Sequence, residues 1–115
     1  MIYKDLEVWK QSMVLVTEVH QATGDFPKEE LFGLVSQMRR AAVSIPSNIA
    51  EGCGRKNTKE YIQFLYISKG SLLELETQIE IAYRLNFLPN IDAFTETIKR
   101  LRNMMIKLIA PLENK

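Results

Sequence analysis

From Ile91 to Leu112 apolar side chains return every three or four residues without a lapse: Ile91, Phe94, Ile98, Leu101, Met105, Leu108 and Leu112. A strand turns its side chains over at every residue, so it cannot gather this set on one side. An α-helix, at about 3.6 residues per turn, places all of it in one stripe. The segment is expected to run from about Asn90 to Ala110, with Pro111 loosening its last turn. The same period recurs upstream. Leu65, Leu72, Leu75, Ile79 and Ala82 form the seam of a helix that begins at Asn57-Thr58 and reaches about Leu85, where Asn86 suits a left-handed stop. Leu31, Leu34, Val35, Met38, Ala42, Ile45 and Ile49 line a helix that starts near Pro27 and ends at Gly52-Cys53-Gly54. Pro46 should kink it, because proline lacks a donor and crowds the carbonyl of Ala42.

The first segment, Leu6 to Thr23 with Asp5 as N-cap, carries two apolar faces. Leu6, Trp9, Met13 and Val16, extended by His20, are expected to face the core. Val8, Leu15 and Val19 are left outside the seam. The connections Gly24 to Phe26, Cys53 to Lys56 and Asn86 to Pro89 are short, which makes sequential helices antiparallel neighbours. The expected fold is all-α: an up-down-up-down antiparallel four-helix bundle occupying residues 1–115 as a single domain.

Composition agrees and narrows the function. Apolar residues at 46% and charged residues at 25% are ordinary for a globular chain. A formal charge of +1 announces no global field for nucleic acid, so any basic surface must be local. The lone Cys53 excludes an internal disulfide and fits a reducing compartment. No apolar run approaches the ~20 residues that span a bilayer, and the N-terminus has no signal-peptide core. A cytoplasmic protein without membrane contact is expected.

Catalytic and metal-binding combinations are missing. The residue three before the only histidine, His20, is Thr17, so the Glu-x-x-His pair of ferritin-like metal sites is absent. Cys53 lies at a helix C-terminus, where the dipole does not activate a thiolate. Neither an enzyme nor a cofactor is expected. Two polar stripes stand out instead: Arg40, Ser44, Asn48 and Glu51 on the second helix, and Ser71, Glu74 and Gln78 on the third. They fit either a solvated face or a partly buried hydrogen-bonded network, between helices or between subunits. Antiparallel pairing sets Arg40 level with Ser71 and one turn from Glu74, within reach of an ion pair.

Basic residues gather at the end that carries the second connection: Lys4, Arg55, Lys56, Lys59 and Lys115, diluted by Asp5, Glu51, Glu60 and Glu113. Arg55, Lys56 and Lys59 are the candidate nucleic-acid contacts. Apolar residues beyond the seams (Val8, Leu15 and Val19; Phe64, Ile67 and Ile81; Ile106 and Ile109) leave more greasy surface than a monomer tolerates. A homo-oligomer would bury it.

Several runs carry a resemblance. Tyr3-Lys4-Asp5-Leu6-Glu7-Val8-Trp9 opens the chain, and Phe26-Pro27-Lys28-Glu29-Glu30-Leu31-Phe32-Gly33-Leu34 follows. Gln37-Met38-Arg39-Arg40-Ala41-Ala42-Val43-Ser44-Ile45-Pro46-Ser47-Asn48-Ile49-Ala50-Glu51-Gly52 and Gly70-Ser71-Leu72-Leu73-Glu74-Leu75-Glu76-Thr77-Gln78 complete the set. Together they resemble the bacterial four-helix bundle family, also called 23S rRNA-intervening-sequence proteins. They are also similar to the accessory variability proteins of diversity-generating retroelements. The resemblance implies a ring-forming homopentamer, no enzymatic activity, and contact with RNA or a nucleoprotein partner. The expectation is therefore a homo-oligomeric helical scaffold that binds RNA or such a partner. The alternative is a protein–protein adaptor without nucleic-acid contact.

Overall fold

The computed structural model describes residues 2–114. Four helices, α1 (Glu7–Thr23), α2 (Ser36–Cys53), α3 (Thr58–Arg84) and α4 (Asp92–Glu113), make an all-α four-helix bundle. Helix α2 packs between α1 and α3, and α4 closes the circuit against α3 and α1. Cross-helix contacts give the direction. As α2 ascends from Ser44 to Ile45, its partners on α3 descend from Ser71 to Ser68. Arg102 of α4 reaches Glu76 while Glu113 reaches Tyr66 further back, so α4 runs against α3 as well.

Both ends of α3 follow from local chemistry. The Asn57 side-chain oxygen accepts the Glu60 backbone N–H at 2.8 Å, capping the first turn. At the other end Asn86 adopts the left-handed conformation (φ 64°). The Phe87 N–H then returns to the Ala82 carbonyl at 2.9 Å and the Asn86 N–H to the Tyr83 carbonyl at 3.0 Å. That is the paired closure of a Schellman stop, which satisfies carbonyls the helix leaves open.

Elsewhere the chain departs from its sequence-based outline. Asp5 caps nothing: it belongs to a short 3₁₀ turn, Tyr3–Asp5, and Leu6 holds the cap position without a side-chain bond. Helix α2 continues unbroken through Pro46, and the backbone irregularity falls earlier, at Gly33 (φ −111°, ψ −108°), within a wide π-type turn, Leu31–Val35. That turn rotates Leu31 out of the core to 49% exposure and leaves Phe32 92% exposed. Helix α4 likewise runs past Pro111 to Glu113.

The core face of α1 is the reverse of the expected one. Val8, Ser12, Leu15 and Val19 are buried, whereas Met13 and His20 are exposed and Trp9 and Val16 are half-buried. Ser12 permits this because its hydroxyl donates to the Trp9 carbonyl at 2.8 Å, so a polar residue sits in the core without an unmet donor. The apolar surplus is correspondingly smaller: Val8, Leu15, Val19 and Ile109 are core, and Ile67, Ile81 and Ile106 stay exposed. The seams of α3 and α4 lie where their periodicity puts them, with Leu65, Leu72, Leu75, Ile79, Ala82, Ile98, Leu101 and Met105 all buried. Among the described residues no helix is long and apolar enough to cross a membrane.

Candidate functional site

The polar stripes meet along the α2–α3 seam. Close approach begins at Gly52, where a Cβ would meet the Phe64 Cβ at 2.7 Å and the Tyr61 ring at 3.1 Å. Only a residue without a side chain lets the two helices come this near. Tyr61 is therefore partly desolvated, and this burial, with the nearby Cys53 thiol as the lesser cause, raises its phenol above the ordinary 10.0. Further along, Ser68 donates to the Ile45 carbonyl at 2.8 Å, and the Ser44 and Ser71 hydroxyls share a bond of 2.8 Å. The Asn48 amide donates to both the carbonyl and the hydroxyl of Ser44, at 2.8 and 2.9 Å.

Beyond the serines the seam opens into a groove of about 370 Å³ lined by Gln37, Arg40, Ala41, Ser44, Ser71 and Glu74. Arg40 and Glu74 share this groove as expected from antiparallel register, yet both are exposed and they form no ion pair with each other. One turn past Glu74, Gln78 is buried with its Oε1 lacking any hydrogen-bond partner. Glu51 turns away from the stripe and pairs with Arg55 at 3.2 Å.

That pairing changes the basic tip. Arg55 is held between Glu51 and the Phe64 ring, its guanidinium carbon 4.7 Å from the ring centre. Lys56 and Lys59 are exposed at the same turn with no ion pair among the described residues. Lys4 is exposed too, and Lys115 lies outside the described residues. The end of α4 lies about two turns along α3 from this tip: Tyr66 donates to Glu113 at 2.9 Å, and that bond raises the Tyr66 phenol above its ordinary value. On α4, Arg102 pairs with Glu76 and Arg100 donates to Gln11, while Lys99 remains exposed.

One polar element escaped the sequence. Arg39 of α2 donates to the Thr23 hydroxyl at 2.9 Å and to the His20 carbonyl at 3.2 Å, which clamps the end of α1. Nothing in the spacing of Thr23 and Arg39 marks them as partners, because the turn between them sets their distance. Next to this clamp lies a second groove, between α1 and α2, of about 320 Å³ and mostly apolar lining: Tyr3, Trp9, Met13, Val16, Val43, Pro46, Ser47 and Ala50. No cluster of three or more His, Cys, Asp or Glu among the described residues is placed to hold a metal ion.

These features define a small all-helical bundle protein whose distinctive polar groups lie along surface seams and at one tip. Residues 4–109 match the family model described as 23S rRNA-intervening sequence protein, and the chain belongs to that family. No curated protein matches the chain.

Proposed function

We propose that the chain is a non-catalytic cytoplasmic scaffold that assembles with copies of itself and presents its α2–α3 tip to RNA, alone or within a nucleoprotein. The observation that carries this reading is the exposed run of Arg55, Lys56 and Lys59 at that tip, in a member of a family named for its ribosomal RNA setting. Long flexible cations at a turn reach phosphates without needing a particular base sequence. One copy offers few contacts and a net charge of only +1. A ring of copies, five if the resemblance extends to assembly, would add their effects through avidity. A protein–protein adaptor is the second reading, and the Glu51–Arg55 pair favours it by neutralising part of the tip.

Binding to structured RNA measured across a salt series separates the two. Phosphate contacts predict an affinity that falls steeply with salt, and a triple change of Arg55, Lys56 and Lys59 to glutamine that abolishes it with helicity unchanged. A wild type without affinity at physiological salt leaves the adaptor standing. Equal binding by wild type and triple variant moves the contact to α4, where Lys99 and Arg100 are exposed and Arg102 is half-buried.

A further inference from the structure

We propose that Phe32 is an anchor for a second copy of this chain, entering the apolar groove between α1 and α2 of its neighbour. The inference rests on the self-assembly reading above and names the surfaces involved. Phe32 is 92% exposed, the most exposed of the large apolar side chains among the described residues, and Leu31 beside it is 49% exposed. The wide turn at Leu31–Val35 holds both outward, so the ring projects from an ordered element. A single projecting aromatic of this kind is the usual centre of a protein interface when a pocket exists to receive it.

The α1–α2 groove is such a pocket. Its volume of about 320 Å³ exceeds the roughly 150 Å³ of an apolar cavity that takes up benzene. Tyr3 and Trp9 already stand edge to face at 5.3 Å, forming a rigid aromatic wall. Met13 and Val43, 41% and 45% exposed, are the uncovered lips, and a methionine sulfur packs well against a ring edge. Charge complements shape. The turn carrying Phe32 has Asp25, Glu29 and Glu30 against Lys28 alone. The groove has Lys10 next to Trp9, and Arg39 one turn before Val43, its guanidinium steadied by Thr23 and His20. Lys4 and Asp5 offset one another at the Tyr3 end.

Anchor and groove are different patches of one surface, so the contact is heterologous and propagates from copy to copy until it closes on itself. Two exposed positions test it without threatening the fold: Phe32→Ala removes the anchor, and Val43→Glu blocks the groove. In light scattering over a concentration series, each variant alone should need at least tenfold more protein to assemble, with its helical content unchanged and its thermal midpoint equal to that of wild type at concentrations where both are dissociated. Mixed, they should form one-to-one pairs and nothing larger, because Phe32→Ala keeps a working groove and Val43→Glu keeps a working anchor. If both variants assemble like wild type, self-assembly stands and this contact is overturned. If Phe32→Ala weakens assembly and Val43→Glu does not, the groove is the wrong receptor and the proposal fails. A wild type that stays monomeric at every concentration overturns the self-assembly reading itself, and the anchor with it.

Discussion

Helix α2 meets its two neighbours in opposite ways. Towards α3 it offers Gly52, Ser44 and Asn48, and the helices close until a Cβ at Gly52 would sit 2.7 Å from Phe64. Hydroxyl and amide groups fill the narrow seam, and those of Ser44, Asn48, Ser68 and Ser71 all find partners. Towards α1 it offers Val43, Pro46 and Ala50 against Trp9 and Met13, and large side chains prop the surfaces apart into an apolar groove. A single polar clamp, Arg39 to Thr23 and His20, ties that side. Small residues make a seam that resists change; large ones make a seam with room in it.

The sharpest way to break this contrast is Gly52→Ala. The added methyl group has backbone as well as side chain against it, with the Tyr61 carbonyl oxygen at 3.3 Å, so overpacking should cost about 1–3 kcal/mol. Urea denaturation measures it, and an unchanged midpoint would mean the α2–α3 seam opens freely. Next come the polar ties. Ser68→Ala on one flank and Arg39→Ala on the other should each cost about 1 kcal/mol, and their double variant should show additive losses because they share no partner. Coupling between them would merge the two seams into one unit.

A smaller effect of opposite sign is expected at Gly70 on α3, where a Cβ would meet nothing within 4 Å. Gly70→Ala should stabilise the chain by about 0.5–1 kcal/mol through helix propensity, so two glycines of the same helix pair would answer the same substitution oppositely. The smallest effect is electrostatic. Burial raises the Tyr61 phenol above 10.0 in the folded chain. The stability attached to the neutral phenol is complete below 10.0 and is lost as pH rises through the higher folded value. Melting between about pH 9 and 11 should therefore fall more steeply in wild type than in Tyr61→Phe.

Much of the fold was legible because helices are local. Apolar period, the Asn57 cap and the Asn86 stop depend on residues within a turn of each other, and α3 and α4 follow them closely. The site was legible in outline. Antiparallel register brings Arg40, Ser44, Ser71 and Glu74 to one groove, since two helices of known direction leave little choice of level. Which groups bond was not legible: Ser44 takes Ser71, Arg40 and Glu74 remain unpaired with one another, and Glu51 leaves the stripe for Arg55. Reach and rotamer decide such matters, and both depend on the final helix spacing.

By itself, then, the chain's order of residues determined four helices, the seams of the last two, and most helix boundaries to within a few positions. The exception is the start of α2, expected near Pro27 and found at Ser36 after the 3₁₀ and π-type turns. Only tertiary structure chose the buried face of α1, because Trp9 with Val16 and Val8 with Leu15 are comparable stripes until two neighbours are in place. Only tertiary structure put Phe32 in water, because the turn at Gly33 departs from the helical period that would have carried Leu31 inward. A periodic pattern specifies that a helix has an inside; the partners packed around it specify which side that is.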